Sequence, residues 1–343
     1  MSRQPVGLRS RRPTVPSARR VPVHLVLGDA RHGVSRYAAE VAAACGARVV
    51  THEAGLPLDE PVHLHLTDRL LGATPDDAAA RVEQLARCVP LTVTLHDVPQ
   101  PTDGPVFAAR AAAYGRIVRA VRGWTTNSEH ERRLVERWCD TDAVGTAIPL
   151  PVPRPTCLRP GDGASADPAP VLGVFGFVYP GKGHRQVVRA AATLRRTGTE
   201  ASVLVVGGAA PGHDDEVADI RRLGAARGVP VEVTGHLEDA DVLATLRSVA
   251  VPVAAHRNVS ASGSLNTWLA AGRRPLVRDG SYAREMAALR PDTVTLFRDD
   301  TLADAVAAAL RRPGSTWTRP GADLRPHLDD TARAYGAWWR TTR

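Results

Sequence analysis

The chain has 343 residues, of which 43% are hydrophobic and 23% charged, as in an ordinary globular protein. It contains no run of about 18 apolar residues, which excludes a membrane-spanning helix, and it is longer than a single core usually grows, which predicts two domains. A net charge of +8 favours an anionic ligand or surface, whereas an aromatic content of 4% argues against a base-stacking nucleic-acid platform.

Residues 1–20 are basic and contain no apolar core segment, which predicts a disordered tail rather than a secretory signal. Such a tail is either simply solvated or a peripheral contact with an anionic membrane, at about 1 kcal/mol per basic residue. Its basic residues are Arg3, Arg9, Arg11, Arg12, Arg19 and Arg20.

The cysteines are far apart and lie in no metal-binding spacing, which favours reduced thiols in a cytoplasmic protein. With the basic tail, this leaves open a peripheral position at the inner face of the membrane. The cysteines are Cys45, Cys88, Cys139 and Cys157.

Apolar runs typical of buried strands alternate with helical patterns along 21–150 and again along 170–315. This alternation predicts an α/β protein of two doubly wound, Rossmann-like domains with a cleft between them. Segment 151–169, rich in Pro, Gly, Asp and Ser, predicts a linker, and 316–343 predicts a helix that docks back on the N-terminal domain. The strand-like runs are 21–28, 47–53, 62–67, 91–97 and 123–128, then 171–178, 202–208, 231–237, 251–256 and 274–279.

Several polar or glycine residues follow the predicted strands, where open α/β sheets bind their ligands. The most informative is Lys182 in "GFVYPGKGH", because it is the single lysine among 44 basic residues. A strand, a Pro-Gly turn, this ammonium and a helix N-terminus together form a candidate anion site. The alternative is a solvated turn lysine that survived a drift towards arginine.

A second candidate is the loop-to-helix segment "HRNVSASGSLNTWLAAG", which begins at residue 256. Ser262 or Ser264 is expected to cap the helix, and its free amides and hydroxyls can hold a diphosphate with help from Arg257. The alternative is an ordinary cap on an amphipathic helix.

These motifs, followed by "REM" and preceded by "VTLHDVP" and "TTNSEHERR", resemble in order and spacing the GT-B glycosyltransferases, above all the retaining family 4. The resemblance covers roughly residues 21–340. It implies an N-terminal acceptor domain (21–150), a C-terminal nucleotide-sugar domain (170–315), a nucleoside-diphosphate sugar as donor and no metal. It also implies a site for the donor, made of Gly33, Gly176, Lys182, Arg257, Ser262, Gly263, Ser264 and Glu285, with His96 and Lys182 as catalytic residues.

The chain departs from that family's pattern at three positions. Phe177 stands where the family usually has an arginine, and Val259 and Thr267 stand where it has two glutamates, the later of which commonly holds the donor ribose. A subset of the family shares the present pattern. These departures leave open a catalytically altered or inactive protein.

The sequence therefore predicts transfer of a sugar from a nucleoside-diphosphate sugar to a hydroxyl of a carbohydrate, lipid-linked or small-molecule acceptor, with retention of configuration. The competing hypotheses are a non-catalytic nucleotide-sugar-binding or partner protein and, less favoured, a nucleotide-sugar epimerase, for which no acid/base carboxylate cluster is evident. No nucleic-acid partner is expected.

Overall fold

The computed structural model describes residues 21–30, 32–139, 142, 144–154 and 170–342. They form two parallel six-stranded sheets, one in each half of the chain. The predicted basic tail, most of the predicted linker and Cys157 lie outside the described residues.

The first sheet has the strand order β2-β1-β3-β4-β5-β6. In its central strands, apolar residues alternate with histidine in β3 and with threonine in β4. Both strands are buried along their whole length, because helices cover both faces of the sheet. Its strands are β1 (Val23–Leu25), β2 (Val49–Val50), β3 (Val62–Leu66), β4 (Leu91–Leu95), β5 (Gly123–Thr126) and β6 (Thr146–Ala147). Its helices are α1 (Gly33–Cys45), α2 (Asp68–Leu71), α3 (Pro75–Cys88), α4 (Phe107–Ala120) and α5 (Glu129–Trp138).

The second sheet has the order β12-β11-β10-β7-β8-β9. Its strands are β7 (Val171–Phe175), β8 (Ser202–Val206), β9 (Val231–Val233), β10 (Val251–Ala254), β11 (Leu276–Arg278) and β12 (Thr295–Phe297). Its helices are α6 (His184–Arg196), α7 (Asp214–Ala226), α8 (Asp239–Ser248), α9 (Gly263–Ala270), α10 (Ser281–Leu289) and α11 (Leu302–Arg311), and α12 (Leu328–Thr341) follows them.

The two sheets differ in topology. Counted from its own first strand, the second sheet has the Rossmann order 3-2-1-4-5-6, whereas the first has 2-1-3-4-5-6, a flavodoxin-like start extended by one strand. The chain reverses direction across the second sheet between β7 and β10, and across the first between β1 and β3. Each reversal opens a crevice beyond the carboxyl ends of the two strands.

The predicted doubly wound α/β architecture is confirmed, and every predicted strand segment contains an observed strand. The short edge strands β6 and β12 were not predicted. They are two and three residues long and are recruited by pairing with β5 and β11 rather than by an apolar pattern of their own.

Helix α12 lies against the first sheet although it follows the second one in the chain. Tyr335 is fully buried, and its hydroxyl hydrogen bonds with Thr94 Oγ1 on β4 at 2.8 Å. Tyr335 and Trp338 pack with Tyr37 and Val41 of α1 in one apolar cluster. Among the described residues, no helix is both long enough and apolar enough to cross a membrane.

Candidate functional site

The loop after β7 turns sharply because two of its glycines adopt backbone conformations that other residues avoid. Gly176 has φ 108° and Gly183 has φ 100°. A Cβ at Gly183 would lie 2.3 Å from the carbonyl oxygen of Ala255, so only glycine lets α6 begin this close to the end of β10. A Cβ at Gly176 would lie 3.1 Å from Lys182 Nζ. The loop therefore folds its lysine back over the end of its own strand.

Lys182 lies in this loop with only 5% of its surface exposed. Its Nζ donates a hydrogen bond to Ser264 Oγ at 3.0 Å and lies 5.8 Å from the ring centre of Tyr179. Burial lowers the pKa of its ammonium to about 7. No ion pair to Lys182 is formed by the residues that the structure describes. With a pKa of about 7 the amine is about half protonated at neutral pH, and an anion bound beside it would favour its charged form.

The N-terminus of α9 faces the same lysine. Of the two serines predicted as alternatives, Ser262 is the N-cap. Its Oγ accepts from Leu265 N at 3.1 Å. The hydroxyls of Ser262 and Ser264 lie 3.1 Å apart, which links the cap to the lysine. Gly263 is exposed, and a Cβ there would meet nothing within 4 Å, so open space lies in front of the helix.

The crevice between β7 and β10 thus brings together Gly176, Lys182, Ser262, Gly263 and Ser264, all of them predicted site residues. A lysine ammonium, two hydroxyls and the positive end of a helix converge there. This combination can bind a phosphate or diphosphate.

Arg257 lies beside this crevice with an exposed side chain. Its backbone amide donates to the carbonyl of Gly181 at 2.8 Å, which ties the loop after β10 to the lysine loop. Phe177 is 54% exposed. Thr267 Oγ1 donates to the carbonyl of Gly263 within α9, and Val259 packs against an apolar cluster. Neither residue has the carboxylate that the family pattern places at its position.

Two buried histidines flank Lys182 and were not predicted as site residues. Burial and, secondarily, the charge of Lys182 lower the pKa of His184 to about 3 and that of His256 well below its usual range. Both side chains are therefore neutral at physiological pH. Their only sequence signal was their position: His184 stands two residues after Lys182, and His256 follows strand β10 closely.

His96, the other predicted catalytic residue, follows β4 in the first half and is 8% exposed. Its Nδ1 accepts from Asn127 Nδ2 at 3.0 Å, which leaves the proton on Nε2 to donate to His65 Nδ1 at 3.1 Å. Burial lowers its pKa to about 3. Both ring nitrogens are engaged inside the protein, so in this arrangement neither is free to take a proton from a substrate.

Gly33 is the first residue of α1, exposed and with open space around a Cβ position. Close to His96, Asp97 has φ 48° and pairs with the buried Arg110, whose Nη2 lies 3.2 Å from Asp97 Oδ2. Burial, with a smaller contribution from Asp97, raises the pKa of Tyr179. Tyr179 of the lysine loop therefore lies within range of the charge of Asp97, just after β4.

Glu285 lies at a contact between the two halves. Its carboxylate oxygens accept from the backbone amides of Glu129 and His130, each at 2.8 Å, and so cap helix α5. The structure thus places Glu285 on α5 with both oxygens occupied; donor binding by Glu285 stays a prediction. No group of three or more His, Cys, Asp or Glu suited to a metal is found in the described part of the chain.

No protein-family model matches the sequence, and no curated protein matches it. Solved structures do match. Anabaena Alr3699/HepE in complex with UDP and glucose has 17% identity and a TM-score of 0.60, over 81% of this chain and 73% of that one. Sucrose-phosphate synthase from Thermosynechococcus elongatus has 16% identity and a TM-score of 0.61, over 82% and 70%.

The UDP-forming α,α-trehalose-phosphate synthase of Burkholderia vietnamiensis has 14% identity and a TM-score of 0.57, over 91% of this chain and 75% of that one. At such identities the likeness is one of fold. Together with the two six-stranded sheets, it confirms the predicted GT-B fold.

Proposed function

We propose that the chain is a glycosyltransferase that moves a sugar from a nucleoside-diphosphate sugar to an acceptor hydroxyl, with retention of configuration as in the family 4 enzymes that its motifs resemble. The observation that carries this proposal is Lys182. Its buried ammonium faces the N-terminus of α9 across the crevice between β7 and β10 and bonds to Ser264 there.

The choice of donor is supported by the structural neighbours. HepE was solved in complexes with UDP and with UDP-glucose, and the trehalose-phosphate synthase is described as UDP-forming. For this chain a uridine diphosphate sugar is accordingly the first donor to test. The acceptor is proposed only as a carbohydrate, a lipid-linked sugar or a small molecule.

The proposed reaction breaks the bond between the anomeric carbon and the diphosphate oxygen. The acceptor oxygen forms the new bond on the same face, and its proton passes to the departing diphosphate. Negative charge grows on that diphosphate in the transition state, where Lys182, Ser262 and Ser264 are oriented to stabilise it. They accelerate the reaction only as far as they bind the leaving group more tightly in the transition state than in the ground state.

A neutral His96 with both ring nitrogens engaged is better suited to shape the sugar side of the cleft than to act as a general base. We therefore propose contact with the sugar, through its ring edge, as its role. No metal is assigned to the reaction, because Lys182 and the helix end offer the charge that the diphosphate needs.

A second candidate function is binding of a nucleotide-sugar or a partner without turnover. It is favoured by Phe177, Val259 and Thr267, which leave the predicted ribose side of the site without the family's arginine and glutamates. The donor would then be held mainly by its diphosphate.

The test is a panel of nucleotide-sugars in a thermal-shift assay, followed by calorimetry and product analysis. A ligand at 100 times its dissociation constant should stabilise the fold by about 2.7 kcal/mol. Binding together with release of nucleoside diphosphate supports the transferase. Binding without any product supports the second candidate, and the absence of both contradicts the proposal.

Membrane attachment through residues 1–20 also stays a proposal, because these residues lie outside the described ones. Sedimentation with vesicles rich in phosphatidylserine would test it on the full chain and on a chain lacking the tail. Equal partitioning of the two would remove this role.

A further inference from the structure

A fully buried carboxylate, Glu131 of α5, lies where the first half meets the loop that follows β10. Its Oε1 accepts from Ser260 Oγ at 2.8 Å and its Oε2 accepts from the amide of Asn127 at 2.9 Å. No cation pairs with it among the described residues. Burying a carboxylate with two donors and no cation is costly, so the site calls for a reason beyond stability.

On the side of the second half, the carboxylate holds the start of the anion-binding loop. Ser128 Oγ donates to the carbonyl of Ser260 at 2.6 Å and accepts from the amide of Glu131 at 2.9 Å. Ser260 is therefore held through both its hydroxyl and its carbonyl. It stands two residues before Ser262, the cap that faces Lys182.

On the side of the first half, the same carboxylate reaches His96 through one residue. Glu131 fixes the backbone of Asn127, and the side-chain amide of Asn127 donates to His96 Nδ1 at 3.0 Å. Because an amide nitrogen can only donate, this bond sets the tautomer of His96 with its proton on Nε2.

We propose that Glu131 is a positioning residue, which couples the anion-binding loop 260–264 to His96 across the interdomain cleft. It touches neither donor nor acceptor and acts through Ser260 on one side and Asn127 on the other. Its effect on turnover rests on the proposed function, whereas its effect on the loop and on the histidine does not.

The coupling has an expected pH dependence. Burial, with the nearby carboxylates of Asp97 and Glu285 acting in the same sense, raises the pKa of Glu131 to about 7. The other titratable side chains near it are Tyr282 of α10, whose hydroxyl accepts from the amide of Ser262, and Tyr335 of α12, whose hydroxyl bonds with Thr94. Protonation removes one of the two acceptors, so the bridge is complete above pH 7 and weakens as the pH falls through that value.

The structural test compares the wild type with Glu131→Gln and with Glu129→Gln, a matched change of a half-exposed carboxylate two positions earlier on the same helix, where it pairs with Arg132. Long-range ¹H–¹⁵N spectra of labelled histidine report the tautomer of His96, and hydrogen exchange reports the amides of 261–265. We expect Glu131→Gln to change the His96 signals and to speed loop exchange at least about tenfold. Glu129→Gln should match the wild type.

The functional test measures kcat and KM with UDP-glucose as probe donor. Because Lys182 and Ser264 are untouched, we expect Glu131→Gln to change the donor KM by less than about threefold and to lower kcat by about ten- to a hundredfold. The fall of kcat below pH 7 in the wild type should be absent from the variant.

The second variant is Ser260→Ala, which removes the hydroxyl that donates to the carboxylate. It decides the question in case Glu131→Gln does not fold. Histidine spectra and loop exchange identical to those of the wild type would overturn the proposal. Changed spectra and exchange in a protein that turns over no nucleotide-sugar would support the bridge and contradict the proposed function instead.

Discussion

After β7, a buried lysine with no ion-pair partner among the described residues bonds to a serine at the N-terminus of α9, whereas the histidines on β1, on β3 and after β4 of the first sheet pack against one another. His24, His63, His65 and His96 contact one another in tilted or edge-on pairs with ring-centre distances of 4.9 to 5.9 Å, and Tyr37 and Tyr335 both contact His65. The second half offers a ligand the amine of Lys182, which pairs with no carboxylate among the described residues. The first half presents neutral histidines whose ring nitrogens lie inside the protein.

The largest expected effect is acid destabilisation centred on the first half. Burial lowers the pKa of His24 to about 4 and that of His96 to about 3, with His63 and His65 lowered in the same direction. The unfolded chain then binds more protons, so stability that is present above pH 6.5 is lost as the pH falls towards 4. Each of these four histidines contributes about 1.4 kcal/mol per pH unit, and Glu131 opposes them by about the same amount as one histidine, so a net loss of about 4 kcal/mol per unit is expected.

Hydrogen exchange at pH 7, 6 and 5 would show whether the first sheet opens before the second. His24→Phe gives the internal control, because neither ring nitrogen of His24 has a hydrogen-bond partner. It should lower the pH slope of the unfolding free energy by about 1.4 kcal/mol per unit. Equal opening of both sheets would remove the contrast.

Next in size is Lys182→Ala, which removes the cation of the second half. We expect UDP affinity to fall about a hundredfold, or about 2.7 kcal/mol, as for loss of a charged hydrogen bond in a buried site. Lys182→Arg should restore little, because the planar guanidinium does not fit the space beside Gly176. Arg189→Ala, on the exposed face of α6, is the control for calorimetry. Wild-type affinity in Lys182→Ala would refute the anion site.

Tyr335→Phe should cost about 1 kcal/mol of unfolding free energy, because it removes the bond to Thr94 without opening a cavity. Urea denaturation measures it. UDP affinity should stay unchanged, since the bond lies in the first half; a drop in affinity would mean that the two halves are less separable than their chemistry suggests.

The smallest effect is expected from Phe177→Arg, which adds a cation where the ring is exposed. An exposed charge is worth about 0.5 kcal/mol, so UDP should bind about twofold more tightly, and the gain should vanish at high salt. A gain of tenfold or more would indicate that the ring itself had been blocking the site.

The candidate anion site of the second half could be predicted from the sequence because its chemistry is local. Each of its two motifs, the lysine between glycines and the serine-capped helix, is recognisable within ten consecutive residues. Both motifs lie in the crevice of the second sheet. The hydrogen bonds of the first half could not be predicted, because they join residues that are far apart in the sequence. The pairing of His65 with His96, and of Glu131 with Ser260, joins residues 31 and 129 positions apart.

Glu285 illustrates the same limit. Its motif predicted a place near the donor, yet both its oxygens bond to a helix of the other half, 155 and 156 residues away. The strand orders also could not be predicted. Strand–helix alternation predicts two parallel sheets, but it does not tell which of them follows the Rossmann order.

The position of α12 also bears on how the molecule is made. The wall over the histidines of the first sheet includes Tyr335 and Trp338, which emerge from the ribosome only after the whole second sheet. The cluster that these residues form with Tyr37 and Val41 therefore cannot close until the second half has been translated, whereas the main core of the first half draws only on residues between 25 and 139. Folding of this chain is expected to be completed from its later half back to its earlier one.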